Sequence, residues 1–321
     1  MHRPRILLLA LALAAVRPAV AQDAAAAPAP PAGKPARPAI YDEQADAHQQ
    51  IATALLHAKK ENRRVLIQWG GNWCGWCHLL HELCASDEQL KNKLLYEYDV
   101  VLVDIGHMDK NTDLTASYGA DLKANGVPYL TILDADGKVL ANQETGALET
   151  GDKDKPGHDP AKVLAFLTAH QAAYLKAEDL RRDALAQSAK ENKRVFLHFG
   201  APWCGWCHKL EDWMAREPAS SLLPRDFVDC KIDVERTVGG AELLASLRSN
   251  QQGGIPWFAF LAADGSVLAT SDAPAGNTGF PAQPDEIAHF TSMLQKASVK
   301  LDAEAIRTLA ASLQPAPAAA R

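Results

Sequence analysis

The hexapeptide Trp-Cys-Gly-Trp-Cys-His runs from Trp73 to His78 and again, letter for letter, from Trp203 to His208. Two cysteines separated by two residues can close and open a disulfide, and the same spacing followed by His is also how haem c is covalently attached. For disulfide exchange the attacking group must be a thiolate. Cys74 and Cys204 are then the candidate nucleophiles, and Cys77 and Cys207 the candidates for resolving the mixed disulfide. The haem alternative, a dihaem electron carrier, needs further axial ligands or open pockets. The methionines after residue 21, Met108, Met214 and Met293, do not recur at one register in the two copies.

A thiolate needs something that stabilises negative charge, and the start of a helix supplies it through free backbone N–H groups and the positive end of the macrodipole. The sequence around each motif provides that setting. "ENRRVLIQWGGNWCGWCHLL" from Glu61 matches "ENKRVFLHFGAPWCGWCHKL" from Glu191, an offset of 130 without a gap. In each copy a helical stretch (about 43–60, then 178–190) leads into a short apolar strand (65–69, 195–199). The motif then opens a helix whose apolar residues, Leu79 and Leu83, then Leu210 and Met214, recur at helical spacing. A second strand, a helix (about 113–123 and 241–247), a strand pair joined by an Asp-Gly turn, and a final helix complete each copy. Alternating strands and helices predict an α/β fold.

With these elements in place, the chain resembles the thioredoxin-like superfamily. The resemblance rests on strand, "WCGWC" and helix, then on Pro128 in "GVPY" and Pro256 in "GIPW". It is nearest to secreted bacterial domains with "WCGWCHKLE"-type motifs, akin to the C-terminal domain of the thiol:disulfide interchange protein. It implies two tandem domains, 41–177 and 178–313, each a central mixed β-sheet flanked by helices. It also implies that Pro128 and Pro256 are cis, and that Val127 and Ile255, with Trp73 and Trp203, border a groove for a substrate chain. Protein or peptide disulfides would be the substrates and no cofactor is required. A Cys-Gly opening favours a reductase or isomerase over an oxidase.

Two positions depart from the family. Where thioredoxin has a buried Asp six residues before the first Cys, this chain has Gln68 and His198. His can exchange a proton near neutral pH and Gln cannot, so the two sites are expected to differ, with His198 a base for Cys207. The inner Gly-Trp pair matches neither the Gly-Pro of reducing thioredoxins nor the Pro-His of strong oxidants.

The remaining sequence bounds compartment and partners. A basic start, the apolar stretch "ILLLALALAAV" and "AVA" before Gln22 read as a signal peptide over residues 1–21, directing the chain to the periplasm. No later stretch approaches the roughly 20 apolar residues of a membrane helix, so the mature chain is expected not to insert. Removing Arg3, Arg5 and Arg17 with no acid takes the net charge from −6 to −9, which argues against nucleic acid as a partner. An Ala/Pro-rich linker (22–40) and the tail (314–321) are expected to be disordered. An oxidising compartment means that a reductase there needs an inner-membrane electron donor.

Cys84 and Cys230 occupy non-equivalent positions and read as buried free thiols. His78 and His208 read as solvated first-turn residues. His107, Asp109 and Asp113 are too irregularly spaced for a metal site. Two complete Cys pairs argue against a redox-inert binding or chaperone module.

Overall fold

The computed structural model describes residues 37–248 and 253–314. The expected signal peptide, residues 22–36 of the linker and residues 315–321 of the tail lie outside them.

The first half begins with α1 (Ala47–Glu61). It starts later than the sequence pattern predicts because Asp46 caps it, accepting from Gln49 N, and it ends at Asn62 in the left-handed region with φ 52°. β1 (Arg64–Gly70), α2 (Gly75–Ser86), α3 (Glu88–Glu97) and β2 (Tyr98–Asp104) follow. The helix expected over 113–123 is two pieces, α4 (Thr112–Ser117) and α5 (Leu122–Asn125). Gly119 at φ +67° interrupts it, a conformation that a continuing helix cannot use. β3 (Tyr129–Leu133), β4 (Val139–Glu144) and α6 (Pro160–His170) complete this half.

The second half repeats the plan with α7 (Ala177–Glu191), β5 (Arg194–Gly200), α8 (Gly205–Met214), α9 (Ala219–Asp226), β6 (Phe227–Asp233) and α10 (Gly240–Leu247). It continues with β7 (Trp257–Leu261), β8 (Val267–Thr270), α11 (Pro284–Ala297) and one added helix, α12 (Ala303–Ser312). Buried Asp226 holds the turn into that last helix, accepting from the backbone N–H of Val299, Lys300 and Leu301 at 2.7–3.0 Å.

Among the described residues there are two four-stranded sheets, ordered β2-β1-β3-β4 and β6-β5-β7-β8. In each the central strand pairs in parallel with one neighbour and antiparallel with the other, and both sheets are therefore mixed. The central strands are buried on both faces, as runs that carry apolar residues at successive rather than alternate positions require. One face of the second sheet packs Phe196, Phe227, Phe258 and Phe260 against Phe290 of α11, several rings edge to face.

From Ala39 onward the described residues form one compact unit. The connector before α7 has no Pro or Gly and pairs with the second half through Ala177 N to Val238 O and Val238 N to Leu175 O, both 2.9 Å. Two ionic clusters join the halves. Arg236 is buried, donates Nη1 to Glu61 O and Nη2 to Asn62 O, and pairs with buried Glu97 at 3.0 Å. Lys231 bridges Glu61 at 2.6 Å and Glu211 at 2.7 Å.

Burial alone would raise the Glu61 carboxyl, but Lys231, backed by Lys60 and His57, holds it below the ordinary carboxylate range. A depressed folded-state value means that this contribution is complete above the unfolded value of about 4.3 and is lost as pH falls through the folded one. Glu61→Gln should therefore lower stability at pH 7 by about 1.5–3 kcal/mol, the worth of a charge-assisted hydrogen bond. The loss should vanish in strong acid, measured by thermal unfolding across pH; a pH-independent loss would contradict this origin.

Candidate active sites

Each motif sits at the junction of a central strand and the helix after it. β1 ends at Gly70 and α2 begins at Gly75, with Cys74 as its N-cap. Cys77 N lies 3.1 Å from Cys74 Sγ. The second site repeats this, with Cys204 as N-cap of α8 and Cys207 N at 3.1 Å from its sulfur. A helix N–H directed at the first sulfur is the arrangement that favours a thiolate there. Cys74–Cys77 and Cys204–Cys207 are each disulfide-bonded, with Cα atoms 5.3 and 5.2 Å apart.

The two prolines are brought to these sulfurs. The Val127–Pro128 and Ile255–Pro256 peptide bonds are cis. The carbonyl oxygen of Val127 is 3.6 Å from Cys74 Sγ, and that of Ile255 is 3.5 Å from Cys204 Sγ.

The tryptophans before the cysteines leave about half of each ring open to solvent, 51% at Trp73 and 55% at Trp203. Trp73 donates to Gly106 O at 2.6 Å and stacks on His107, whereas Trp203 donates to Glu235 at 2.9 Å. Glu235 also bonds Tyr96 of the first half, so the junction between halves reaches the second site. Inside the motifs, Trp76 packs against the first Cys pair and edge-on to His158, while Trp206 stacks on Phe280 of the "NTGFPAQP" segment.

The histidines that end the motifs are loop anchors. His78 is buried, contrary to the solvated position expected, and its Nε2 bonds Asn72 O at 2.9 Å. His208 remains exposed and bonds Pro202 O at 2.8 Å. Both rings tie the helix back to the residue before the Trp.

Around the resolving cysteines the sites diverge. At the first, buried Tyr41 accepts from Gln68 Nε2 at 2.9 Å and packs with Cys74 and Cys77. Burial, with Asp104 nearby, pushes its phenol well above the ordinary range. At the second, buried His198 bonds Asp229 at 2.9 Å. Desolvation opposes ionisation of Asp229, but His198, Lys60 and Lys231 outweigh it and hold its carboxyl low. Glu211, one turn after Cys207, borders the space between Gly200 and the Cys207 side chain. Tyr41, Glu211 and Lys231 were not singled out from sequence. Glu211 was findable, because i and i+4 share a helix face, and Lys231 stands opposite His198 across β5 and β6. Tyr41 lies outside every periodic element and had no such signal.

The free thiols stand apart. Cys230 is buried and Cys84 half-buried, and burial pushes both up to about 12. Asp104 pairs with Lys110, and Asp233 accepts from Glu235 N and Arg236 N. Among the described residues no cluster of His, Cys, Asp and Glu could hold a metal, and no helix is long and apolar enough to cross a membrane.

Gly70 shows how closely the first site is packed. A Cβ there would lie 2.6 Å from Cys77 Sγ and would collide with the Tyr41 hydroxyl; at Gly200 the corresponding sulfur is 3.3 Å away. Gly70→Ala is expected to cost about 1–3 kcal/mol as overpacking and to impair the first site alone. Gly200→Ala should do less, and equal effects in unfolding and single-site thiol assays would refute the difference.

The thioredoxin-like domain family matches residues 51–153. A second family, Thioredox_DsbH, described as a protein of unknown function, DUF255, matches residues 161–313. The disulfide bond reductase DsbH of Chlamydia pneumoniae is 28% identical over 102 residues, 29% of this chain and 59% of that protein. The protein disulfide-isomerase erp38 of Neurospora crassa is 23% identical over 181 residues, 56% of this chain and 46% of that one. The chain thus spans about half the length of these curated relatives. A solved disulphide isomerase from Xylella fastidiosa Temecula1 is 27% identical, covering 40% of this chain and 95% of that one with a TM-score of 0.35.

Proposed function

From a chain that belongs to the thioredoxin-like superfamily, we propose a periplasmic thiol-disulfide oxidoreductase that works on protein disulfides as a reductase or isomerase. The observation that carries this reading is the paired geometry: in each half a helix-capping cysteine is bonded to the cysteine one turn later, and the carbonyl before a cis proline lies 3.5–3.6 Å from the first sulfur. We place the two domains at 41–177 and 178–313, and the periplasmic address rests on the sequence of residues 1–21.

In the reduced state Cys74 or Cys204, as thiolate, attacks one sulfur of a substrate disulfide. The substrate S–S bond breaks, a mixed disulfide forms, and the departing substrate thiolate takes a proton from solvent. Cys77 or Cys207 then loses its proton and attacks the first cysteine's sulfur, closing the protein disulfide and releasing the second substrate thiol. Two protein thiols are oxidised and one substrate disulfide is reduced, so an electron donor must restore the dithiol. In the reductase reading that donor sits in the inner membrane. Val127, Pro128, Ile255, Pro256 and the half-open rings of Trp73 and Trp203 would line the substrate groove.

At the second site the proton of Cys207 would pass to His198 or to Glu211. Comparing the pH profiles of His198→Gln and Glu211→Gln in a chain lacking the first Cys pair separates them, since only the acceptor's loss removes an ionisation.

The deciding experiment is the reduction potential of each Cys pair in variants that keep only one. Values between roughly −270 mV, as in thioredoxin, and −180 mV, as in protein disulfide isomerase, are expected; a value near −120 mV would make the chain an oxidant. Strong visible absorption by the purified protein would instead restore the haem reading.

A further inference from the structure

The segment before α1 crosses the first site and is fastened there. Asn72, one residue ahead of the motif, accepts from both Ile40 N and Tyr41 N at 2.9 Å and donates to Tyr41 O at 3.0 Å and to Glu43 at 2.8 Å. This clamp delivers the Tyr41 ring into the interior, where it is 2% exposed and shares a packed cluster with both cysteines. Its hydroxyl and Cys77 Sγ close on the same point beside Gly70, where an added Cβ would collide with the hydroxyl and lie 2.6 Å from the sulfur. The hydroxyl already accepts from Gln68, so its own proton remains to be donated. The second site has Pro202 in place of Asn72, and there the Cβ position of Gly200 faces Cys207, with Glu211 Oε1 3.9 Å away.

The other polar groups around Cys77 are committed. His78 bonds Asn72 O, and Asp104, at the end of β2, pairs with Lys110. Gln68 cannot ionise. A phenol raised above its ordinary range keeps its proton and is not a base; it is a donor.

We propose that Tyr41 donates a hydrogen bond to the Cys77 sulfur and thereby stabilises the thiolate that resolves the mixed disulfide at the first site. The proton of Cys77 leaves to solvent, the thiolate attacks Cys74 Sγ, and the bond between Cys74 and substrate breaks. The first site thus resolves through a neutral donor, and the second through ionisable neighbours. This inference rests on the dithiol reading above and adds a residue to it.

The test uses the full chain with Cys204→Ser and Cys207→Ser, reduced and mixed with the aromatic disulfide dithiobis(nitrobenzoate), whose coloured thiolate is released twice. The first release reports attack by Cys74, the second resolution by Cys77. Tyr41→Phe is expected to leave the first release unchanged, to slow the second about tenfold at pH 7, and to move its pH midpoint up by about one unit, the equivalent of that factor. Unchanged second-phase kinetics, or equal slowing of both phases with an unmoved midpoint, overturns the proposal. Should Tyr41→Phe not fold, Asn72→Ala, which removes the clamp that holds Tyr41 over the site, must raise the second midpoint, and an unmoved one overturns the proposal equally. A parent that releases no thiolate in two phases would overturn the dithiol reading itself.

Discussion

Replacing Cys74 and Cys204 together by Ser will bring reduction of a protein disulfide, such as those of insulin, down to the uncatalysed rate, while either replacement alone leaves one working pair. A hydroxyl in place of the sulfur cannot form the mixed disulfide from which every later step proceeds, and the helix start that favours a thiolate does nothing comparable for an alcohol of far higher pKa. The result also separates the two halves. If the single variants keep turnovers that add up to the parent's, the sites act independently. If Cys204→Ser alone abolishes activity, electrons pass through the second site in series. Residual turnover in the double variant would place the chemistry elsewhere in the chain. The cysteines outside the motifs are poor substitutes, since burial holds the Cys84 and Cys230 thiols up to about 12.

Arg236→Ala should cost the folded chain about 3–5 kcal/mol, the penalty for stripping one partner from a buried ion pair. Arg236 is 8% exposed and Glu97 2%. Its removal leaves the Tyr174 hydroxyl, at 2.9 Å, as the remaining side-chain hydrogen-bond donor to the Glu97 carboxylate among the described residues, and leaves the carbonyls of Glu61 and Asn62 without this donor. Adding Glu97→Gln should recover part of the loss, because a neutral amide is cheaper to bury than an unpaired charge. Denaturant midpoints of parent, single and double variants measure this. A cost below 1 kcal/mol, or no recovery in the double variant, would mean that the pair is not what joins the halves. Because Glu235 bonds both Tyr96 of the first half and the Trp203 indole, Arg236→Ala should also disturb the second site more than the first.

Much of the fold was legible in the residue pattern because its signals are local. The runs RVLIQWG and RVFLHFG are mostly apolar without alternation, broken by Gln68 and His198, as strands covered on both faces read. Cys74 and Cys204 follow strands and open helices, so their capping position was readable from order alone. Errors arose where one residue interrupts a pattern. Asp46 starts α1 late, and Gly119 splits the helix expected over 113–123. His78 was expected in solvent because a first-turn histidine usually is, yet the close fit of α2 against the loop buries it on Asn72 O.

By itself the sequence determined the chemistry: two pairs of thiols at one-turn spacing, each following a strand and each answered by a proline some fifty residues on. Those are matters of composition and short-range order, which hydrogen bonding along the chain translates directly into local structure. Only the tertiary structure decided what surrounds the resolving sulfurs. Tyr41 reaches Cys77 across 36 positions because Asn72 clamps its backbone, and Lys231 joins Glu61 to Glu211 from strands and helices of both halves. Such neighbours are set by how elements pack, and packing brings together residues that share no spacing in the chain.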